Sequence, residues 1–103
     1  MKNKNLLALI TSLGIIASPA VYAENQSACE TVLCLAGPYQ GQSGGSQCNG
    51  PIQRYFDINA FDGDGDFDPS QTAQDRLDFL NGCQSADPSW KNGINNKFGS
   101  IQG

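Results

Sequence analysis

The chain has 103 residues, of which ten are acidic, six are basic and none is histidine. All ten acidic residues but only four basic ones follow position 23, so residues 24–103 carry a net charge of −6. Such a domain lacks the basic footprint that displaces counterions from phosphates, which excludes nucleic-acid binders. The absence of histidine also excludes Ser-His and Cys-His catalytic pairs.

The N-terminus has the three parts of a secretory signal peptide. Lys2 and Lys4 come first, the apolar run "LLALITSLGIIA" follows, and small residues flank the tyrosine of "VYA", which predicts cleavage after Ala23. A membrane-spanning helix needs about 20 apolar residues, more than this run provides. We therefore predict a signal peptide over residues 1–23 and an exported domain over residues 24–103, with no stable membrane anchor after signal removal.

The four cysteines of this domain predict two disulfides. A domain this short buries too little surface to be stable without cross-links, which an oxidising compartment allows. A zinc site would need closely paired ligands, unlike the spacing of Cys29, Cys34, Cys48 and Cys83. Cys29 and Cys34 lie about 140° apart on one predicted helix and cannot pair. Of the two remaining patterns we favour Cys34 with Cys48 and Cys29 with Cys83, and Cys29 with Cys48 is the alternative.

The first predicted helix is "SACETVLCLAGP". Ser27 followed by Glu30 forms a capping-box pattern, in which each side chain bonds a backbone N–H of the other. Gly37 and Pro38 are the usual residues at the end of a helix. The apolar stripe expected to face the core consists of Ala28, Val32 and Leu35.

The second predicted helix follows a flexible loop, "GPYQGQSGGSQCNG", whose glycine and serine content disfavours regular structure. It covers "PIQRYFDI" and has Pro51 near its first turn, where a missing N–H costs nothing. The side chains expected to face the core are Ile52, Tyr55 and Phe56.

The third and fourth predicted helices begin with the same dipeptide. Asp68 and Asp87 are N-caps, and each precedes a proline at the first helical position. We therefore predict a small all-α domain of about four helices. The core-facing stripes are Ala73, Leu77 and Leu80 in the third helix, and Trp90, Ile94, Phe98 and Ile101 in the fourth.

Four aspartates on alternate residues raise the question of a calcium site. An EF-hand loop places glycine at its sixth position and glutamate at its twelfth. Counted from Asp62, these positions hold Phe67 and Ala73, so the loop is not an EF-hand. We interpret the segment as a solvated acidic turn leading into a helix and predict no metal site, with weak calcium binding as the alternative. The aspartates are Asp62, Asp64, Asp66 and Asp68.

Only one residue suggests catalysis. A glutamate on a helix of an exported protein could be the general acid of a muramidase, and Glu30 is such a residue. Its capping-box role gives it a structural explanation, and so short a domain has little room for a sugar-binding cleft. We predict no catalytic residue, no cofactor and no enzymatic activity.

Several segments together resemble one family. "CETVLCLAG", "GGSQCNGPIQRYFDI", "FDPSQTAQDRLDFLNGC" and "WKNGINNKFG" are similar to the TrbM/KikA/MpfK family of conjugal transfer proteins. The resemblance covers nearly all of residues 29–99, including all four cysteines.

The resemblance implies a small exported component of mating-pair formation that acts in the periplasm with a conjugative type IV secretion system. The partners it implies are periplasmic or envelope components of the conjugation machinery. It implies neither catalytic residues nor a cofactor. A toxin-like factor that kills particular hosts and, less favoured, a small cell-wall enzyme are the alternative functions.

Overall fold

The computed structural model describes residues 24–103, and the predicted signal peptide lies outside this range. No helix within the described range is long and apolar enough to cross a bilayer. The prediction of an all-α domain with two disulfides is confirmed. The helices are α1 (Gln26–Tyr39), α2 (Asn49–Phe56), α3 (Pro69–Leu80) and α4 (Pro88–Phe98), with a 3-10 turn at Ser46–Cys48.

The two Asp-Pro helix starts are confirmed. The side chain of Asp68 accepts a hydrogen bond from the backbone N–H of Gln71 at 3.0 Å. The side chain of Asp87 accepts one from the N–H of Ser89 at 2.8 Å. Each bond satisfies a donor that the first turn of a helix leaves without a partner.

The predicted capping box at the start of α1 is wrong. The N-cap is Asn25, whose side chain accepts from the N–H of Ala28 at 3.3 Å, so Ser27 lies inside the helix. Asparagine caps as well as serine, and the N–H of Asn25 is itself held by the carbonyl of Gly82 at 2.8 Å. Glu30 therefore has no capping role and lies exposed on the second turn.

The predicted end of α1 is also too early, because the helix continues through Pro38 to Tyr39. A proline so near the end removes one backbone hydrogen bond without breaking the helix. The N–H of Gln40 donates to the carbonyls of Ala36 at 3.2 Å and Gly37 at 2.9 Å, which closes the last turn.

The core lies where α1 packs against the other three helices, and α3 also packs against α4. The predicted stripe of α1 is confirmed as buried. Tyr55 of α2 is fully buried, and Ile52 and Phe56 pack against the core at its edge. The buried apolar residues are Ala28, Val32, Leu35, Cys48, Tyr55, Leu80, Cys83 and Ile94.

The predicted stripes of α3 and α4 are only partly right. In α3, Leu80 is buried, but Thr72 and Arg76 take the buried positions that the prediction gave to Ala73 and Leu77. Relative to the prediction, α3 is rotated by about one residue, because the guanidinium of Arg76 donates hydrogen bonds to carbonyls inside the domain. The buried residues of α3 follow an interval of four: Thr72, Arg76 and Leu80.

In α4, Ile94 is buried as predicted and Phe98 is partly buried, whereas Trp90 is 37% exposed. Ile101 lies beyond the end of the helix and is 51% exposed. The neighbours of Ile94 on the buried face are Lys91 and Asn95. Both polar side chains reach backbone carbonyls: the ammonium of Lys91 donates to Cys83 at 3.0 Å, and the amide of Asn95 donates to Ala73 at 2.9 Å.

Arg76 is the largest fully buried side chain, with no exposed surface. Its guanidinium lies 5.1 Å from the ring centres of both Tyr55 and Phe56. Its acceptors lie at the C-terminal ends of α2 and α4, where helix carbonyls lack partners and carry partial negative charge. They are the carbonyls of Phe56 (3.3 Å), Ile58 (2.9 Å), Phe98 (3.0 Å), Gly99 (3.2 Å) and Ile101 (2.7 Å), and the side chain of Asn59 (3.3 Å).

Candidate functional site

The structure forms the two disulfides that the sequence favours. Cys29 in α1 is bonded to Cys83, which follows α3, and their α-carbons are 4.7 Å apart. Cys34 in α1 is bonded to Cys48 in the 3-10 turn, with α-carbons 5.3 Å apart. All four sulfurs are thereby used, so none is a thiol that could act as a nucleophile.

Glu30 faces solvent and forms an ion pair with Arg54 of α2 at 3.6 Å. It lines a hollow of about 390 Å³ together with Leu33, Cys34, Gln47 and Pro51. Glycoside hydrolysis in its usual form needs two carboxyl groups on opposite sides of the substrate bond. This hollow contains one carboxylate, so its geometry gives no support to the muramidase interpretation.

The acidic turn is stabilised by hydrogen bonds between the side chain of Asp62 and backbone N–H groups of the same turn. The side chain of Asp62 accepts hydrogen bonds from the N–H groups of Asp64 at 2.9 Å and Asp66 at 3.0 Å. Phe61 and Phe67 pair across the turn in a single antiparallel bridge, and Gly65 has φ of 87°, which favours glycine. The loop is thus explained as a turn that leads into the N-cap Asp68.

Ligand-type side chains converge at only one place within residues 24–103. Glu24, Cys29 and Cys83 have oxygen or sulfur atoms within 4.8 Å of one another. The two sulfurs are bonded to each other, so they are not available as thiolate ligands. Glu24 instead accepts a hydrogen bond from the N–H of Ser85 at 2.7 Å.

The surface is more acidic than the net charge of −6 suggests. Arg76 is fully buried and Lys91 is only 6% exposed, so their charges point into the domain. None of the ten acidic residues is buried. The solvent-accessible surface therefore carries ten acidic side chains and two basic ones, Arg54 and Lys97.

Two of these carboxyls have a pKa lowered by hydrogen bonds. The hydroxyl and then the backbone N–H of Ser85 lower the pKa of Glu24. The backbone N–H and then the hydroxyl of Ser89 lower the pKa of Asp87. Both carboxylates stand close to the segment that joins α3 to α4, and both are ionised at neutral pH.

An apolar surface lies between these acidic groups. Leu33 projects from α1 with 76% of its surface exposed, the largest value among the exposed large apolar residues of the described chain. A hollow of about 170 Å³ on one side of it reaches Cys29, Cys83 and Ala86. Another, of about 250 Å³, reaches Ala36 and Trp90. We call Leu33, Ala36, Ala86 and Trp90 the Leu33 surface.

Leu33 and Arg76 are absent from the residues that the sequence predicts as functional or buried. Leu33 could have been found, because it is an apolar residue that lies outside the core stripe of Ala28, Val32 and Leu35. Arg76 could not, because a basic residue between Asp75 and Asp78 reads as part of a solvated face. The Leu33 surface is the arrangement best suited to binding, and it contains no group arranged for covalent chemistry.

Comparison with known proteins gives one match. The model of the family described as TrbM matches residues 22–100. The matched region contains the four helices and both disulfides of the described residues 24–103. No curated protein and no solved structure is significantly similar to the chain.

Proposed function

The chain belongs to the TrbM family, which is associated with conjugal transfer, and we propose that it is a periplasmic, non-enzymatic accessory or assembly factor of a conjugative type IV secretion system. The family match over most of the chain carries this proposal. The proposal adds three elements to the family's association with conjugation: the compartment, the secretion system and the absence of catalysis.

The disulfides support the periplasmic setting. Structural disulfides form and persist in oxidising compartments and are rare in the cytosol. The cross-linked positions Cys29 and Cys83 are separated by 54 residues, and Cys34 and Cys48 by 14, so both closures constrain much of the unfolded chain. A signal peptide over residues 1–23 would deliver the domain to that compartment.

The side chains support a binding role. The hollow beside Glu30 holds a single carboxylate, and the four cysteines are all bonded in pairs. The domain exposes an apolar surface, a feature of docking sites, and a high density of negative charge, which attracts positively charged partners. We therefore place the domain among assembly factors that act by contact.

The decisive experiment is a clean deletion of the gene in a conjugative donor. We expect transfer to recipients to fall, with donor growth unchanged, and complementation by the full chain to restore transfer. A chain that lacks residues 2–23 should fail to complement, because it stays in the cytosol. Unchanged transfer in the deletion would overturn the proposal, and growth arrest of a plasmid-free host producing the full chain would favour the toxin-like alternative.

Glu30→Gln separates an accessory factor from a muramidase. Because Glu30 is exposed and makes one ion pair at 3.6 Å, the variant should be as abundant as the wild type, and neither protein should hydrolyse cell-wall substrate. A muramidase would instead hydrolyse that substrate as the wild type and lose the activity in the variant, with abundance unchanged. Arg54→Gln removes the same ion pair and leaves the carboxylate, so it is the matched control.

A further inference from the structure

We propose that the Leu33 surface binds an apolar segment of another protein that carries lysine or arginine beside its apolar residues. The inference deepens the proposed function, on which it rests for its periplasmic setting. The central side chain of this surface, that of Leu33, is exposed to solvent. Leu33 occupies the middle of α1 yet is 76% exposed, and its neighbour Val32 is buried in the core.

The hollows around Leu33 provide room for partner side chains. Three of them share this residue and have volumes of about 390, 170 and 250 Å³. They lie toward Pro51, toward the disulfide of Cys29, and toward Trp90 respectively. A single exposed leucine surrounded by hollows can be enclosed by apolar side chains of a partner, as at the centre of protein interfaces.

The charges at the edge determine the character of the partner. Glu30 and Asp87 each line one of the hollows, and Glu24 is bonded to Ser85 at the margin of a third. The ammonium of Lys91, the nearby base, is directed inward to a backbone carbonyl. Acidic groups around an apolar centre complement a segment with basic groups around an apolar centre.

One basic residue, Arg54, lies at this edge, but the charge of the edge remains negative. Arg54 pairs with Glu30 at 3.6 Å, and both side chains are largely exposed, at 44% and 62%. An exposed ion pair of this kind contributes little to stability, so either partner can exchange it for another. A basic residue of the bound segment can therefore take the place of Arg54 beside Glu30.

A second copy of this chain is the less suitable occupant. Two copies would bring the same acidic groups face to face, and like charges opposed across an interface disfavour association. A stable dimer also buries about 800 Å² on each partner, involving some 20 to 30 residues. The Leu33 surface has four residues, a size that suits a short segment.

The surface is held in place before binding. Both disulfides attach α1 within a few residues of Leu33, at Cys29 and Cys34. The ring of Trp90 meets that of Tyr39 edge to face, with centres 5.7 Å apart. Little conformational entropy is lost when a partner binds side chains that are already positioned, so a short segment can bind specifically.

The test uses the exported protein purified from the periplasm and a synthetic helical peptide of leucine and lysine without tryptophan. Trp90 is the only tryptophan of the chain and belongs to the surface, so its fluorescence reports binding. We expect saturable binding of the Leu/Lys peptide and much weaker binding of a peptide in which glutamate replaces every lysine. Equal binding of the two peptides, or no binding of either, would overturn the proposal.

Leu33→Gln should weaken binding of the Leu/Lys peptide by at least about tenfold, because burying a leucine is worth about 1.5 to 3 kcal/mol. Ile101→Gln is the matched control, since it replaces another exposed aliphatic residue, 51% exposed, outside the surface. Its affinity should equal that of the wild type. Equal weakening by both variants, or a self-association of the free protein that Leu33→Gln abolishes, would contradict the inference.

Conjugation assays distinguish failure of this inference from failure of the proposed function. Leu33→Gln should reach normal abundance yet fail to restore transfer to the deletion strain, while Ile101→Gln restores it. If the deletion lowers transfer and Leu33→Gln restores it fully, the accessory role stands and the Leu33 surface is not its binding site. If the deletion leaves transfer unchanged while the peptide results hold, the proposed function fails and the surface remains a binding site.

Discussion

Two regions of this domain are stabilised by different means. In the disulfide region, α1 is bonded covalently through Cys29–Cys83 and Cys34–Cys48. In the Arg76 region, the ends of α2 and α4 are joined to α3 by hydrogen bonds of one guanidinium. The disulfides act largely by restricting the unfolded chain, whereas the guanidinium acts only in the folded state. The first region therefore depends on the redox compartment and the second on hydrogen bonds that exist only in the folded state.

The Arg76 region also shows how a buried charge can be accommodated without a carboxylate partner. Burial lowers the pKa of Arg76, yet an arginine remains charged because its ordinary pKa is so high. The carbonyls at two helix C-termini supply partial negative charge instead of a full one. Because no acidic residue is buried as a partner of Arg76, all ten acidic side chains lie at the surface of the domain. Some of them lie at the edge of the Leu33 surface.

Arg76→Met should produce the largest loss of stability. The substitution keeps a long side chain in α3 but leaves buried carbonyls such as those of Ile58 and Phe98 without a donor. A buried acceptor left without a donor costs about 1 to 3 kcal/mol, and several carbonyls lose their donor here, so the total is comparable with the whole stability of a small domain. Denaturant unfolding followed by circular dichroism, with disulfides intact, measures the change.

Arg54→Met is the control for this experiment. Arg54 is exposed and makes a single ion pair at 3.6 Å, so the expected change is no more than about 1 kcal/mol. A wild-type unfolding midpoint for Arg76→Met would show that packing alone stabilises the second region. The comparison between the two regions would then fail.

The two disulfides should differ in their contributions. Replacing both Cys29 and Cys83 by alanine opens the ring with a separation of 54 residues, which the chain-entropy model values at about 4 kcal/mol. Replacing both Cys34 and Cys48 opens the ring of 14, worth about 3 kcal/mol. Unfolding midpoints of the two double variants give the order, and the first variant should also be scarce in periplasmic extracts and fail to restore transfer. A larger loss from the shorter ring would show that native contacts matter more than ring size.

A smaller effect is expected from the neutral hydrogen bond beside Arg76. The buried hydroxyl of Tyr55 donates to the side chain of Asn95 at 2.7 Å. Tyr55→Phe leaves that oxygen without a donor, at a cost of about 1 to 3 kcal/mol. Tyr39→Phe is the matched control, because it removes a hydroxyl from a ring at the edge of the core. Equal unfolding midpoints for the two variants would argue that the Tyr55 bond contributes nothing specific.

The disulfide region could be predicted from the sequence to a greater extent than the Arg76 region. The Asp-Pro starts of α3 and α4 act over one turn, so local residues determine them. Helix geometry excluded a Cys29–Cys34 bond, because it places these two cysteines on different sides of α1, and of the two pairings left open the favoured one is formed. The N-cap of α1 was missed because Asn25 and Ser27 are both good caps, and only the contact of Asn25 with Gly82 distinguishes them.

The burial of Arg76 could not be predicted because it depends on where two distant helices end. Its acceptors are separated from it by 17 to 25 positions along the chain, and no local pattern records their approach. The exposure of Trp90 has the same origin, since α4 is rotated to bury Lys91 and Asn95. Such rotations depend on tertiary hydrogen bonds, whereas a helical wheel ranks positions by apolar character alone.

Acid should weaken the disulfide region selectively, by a small amount. Glu24 and Asp87 have pKa values lowered from their ordinary 4.5 and 3.8 by hydrogen bonds from Ser85 and Ser89. The folded protein therefore binds protons at these carboxyls less tightly than the unfolded chain. Their stabilisation is complete above the ordinary values and is lost as the pH falls through the lower folded ones. Arg76 has no carboxylate among its hydrogen-bond partners and loses none of its bonds in this range.

Acid also reduces the repulsion among the other carboxylates of the domain. The double variant Glu24→Gln/Asp87→Asn separates the contribution of these two carboxylates from that general effect. Its unfolding midpoint should fall less than that of the wild type as the pH drops below 4.5, and the two should differ most at neutral pH. The Tyr55→Phe variant should keep the wild-type pH profile, displaced to lower stability at every pH. A wild-type profile in the double variant would mean that the two carboxylates do not stabilise the segment between α3 and α4. Because these same groups border the Leu33 surface, their protonation should also reduce affinity for the Leu/Lys peptide over the same pH range.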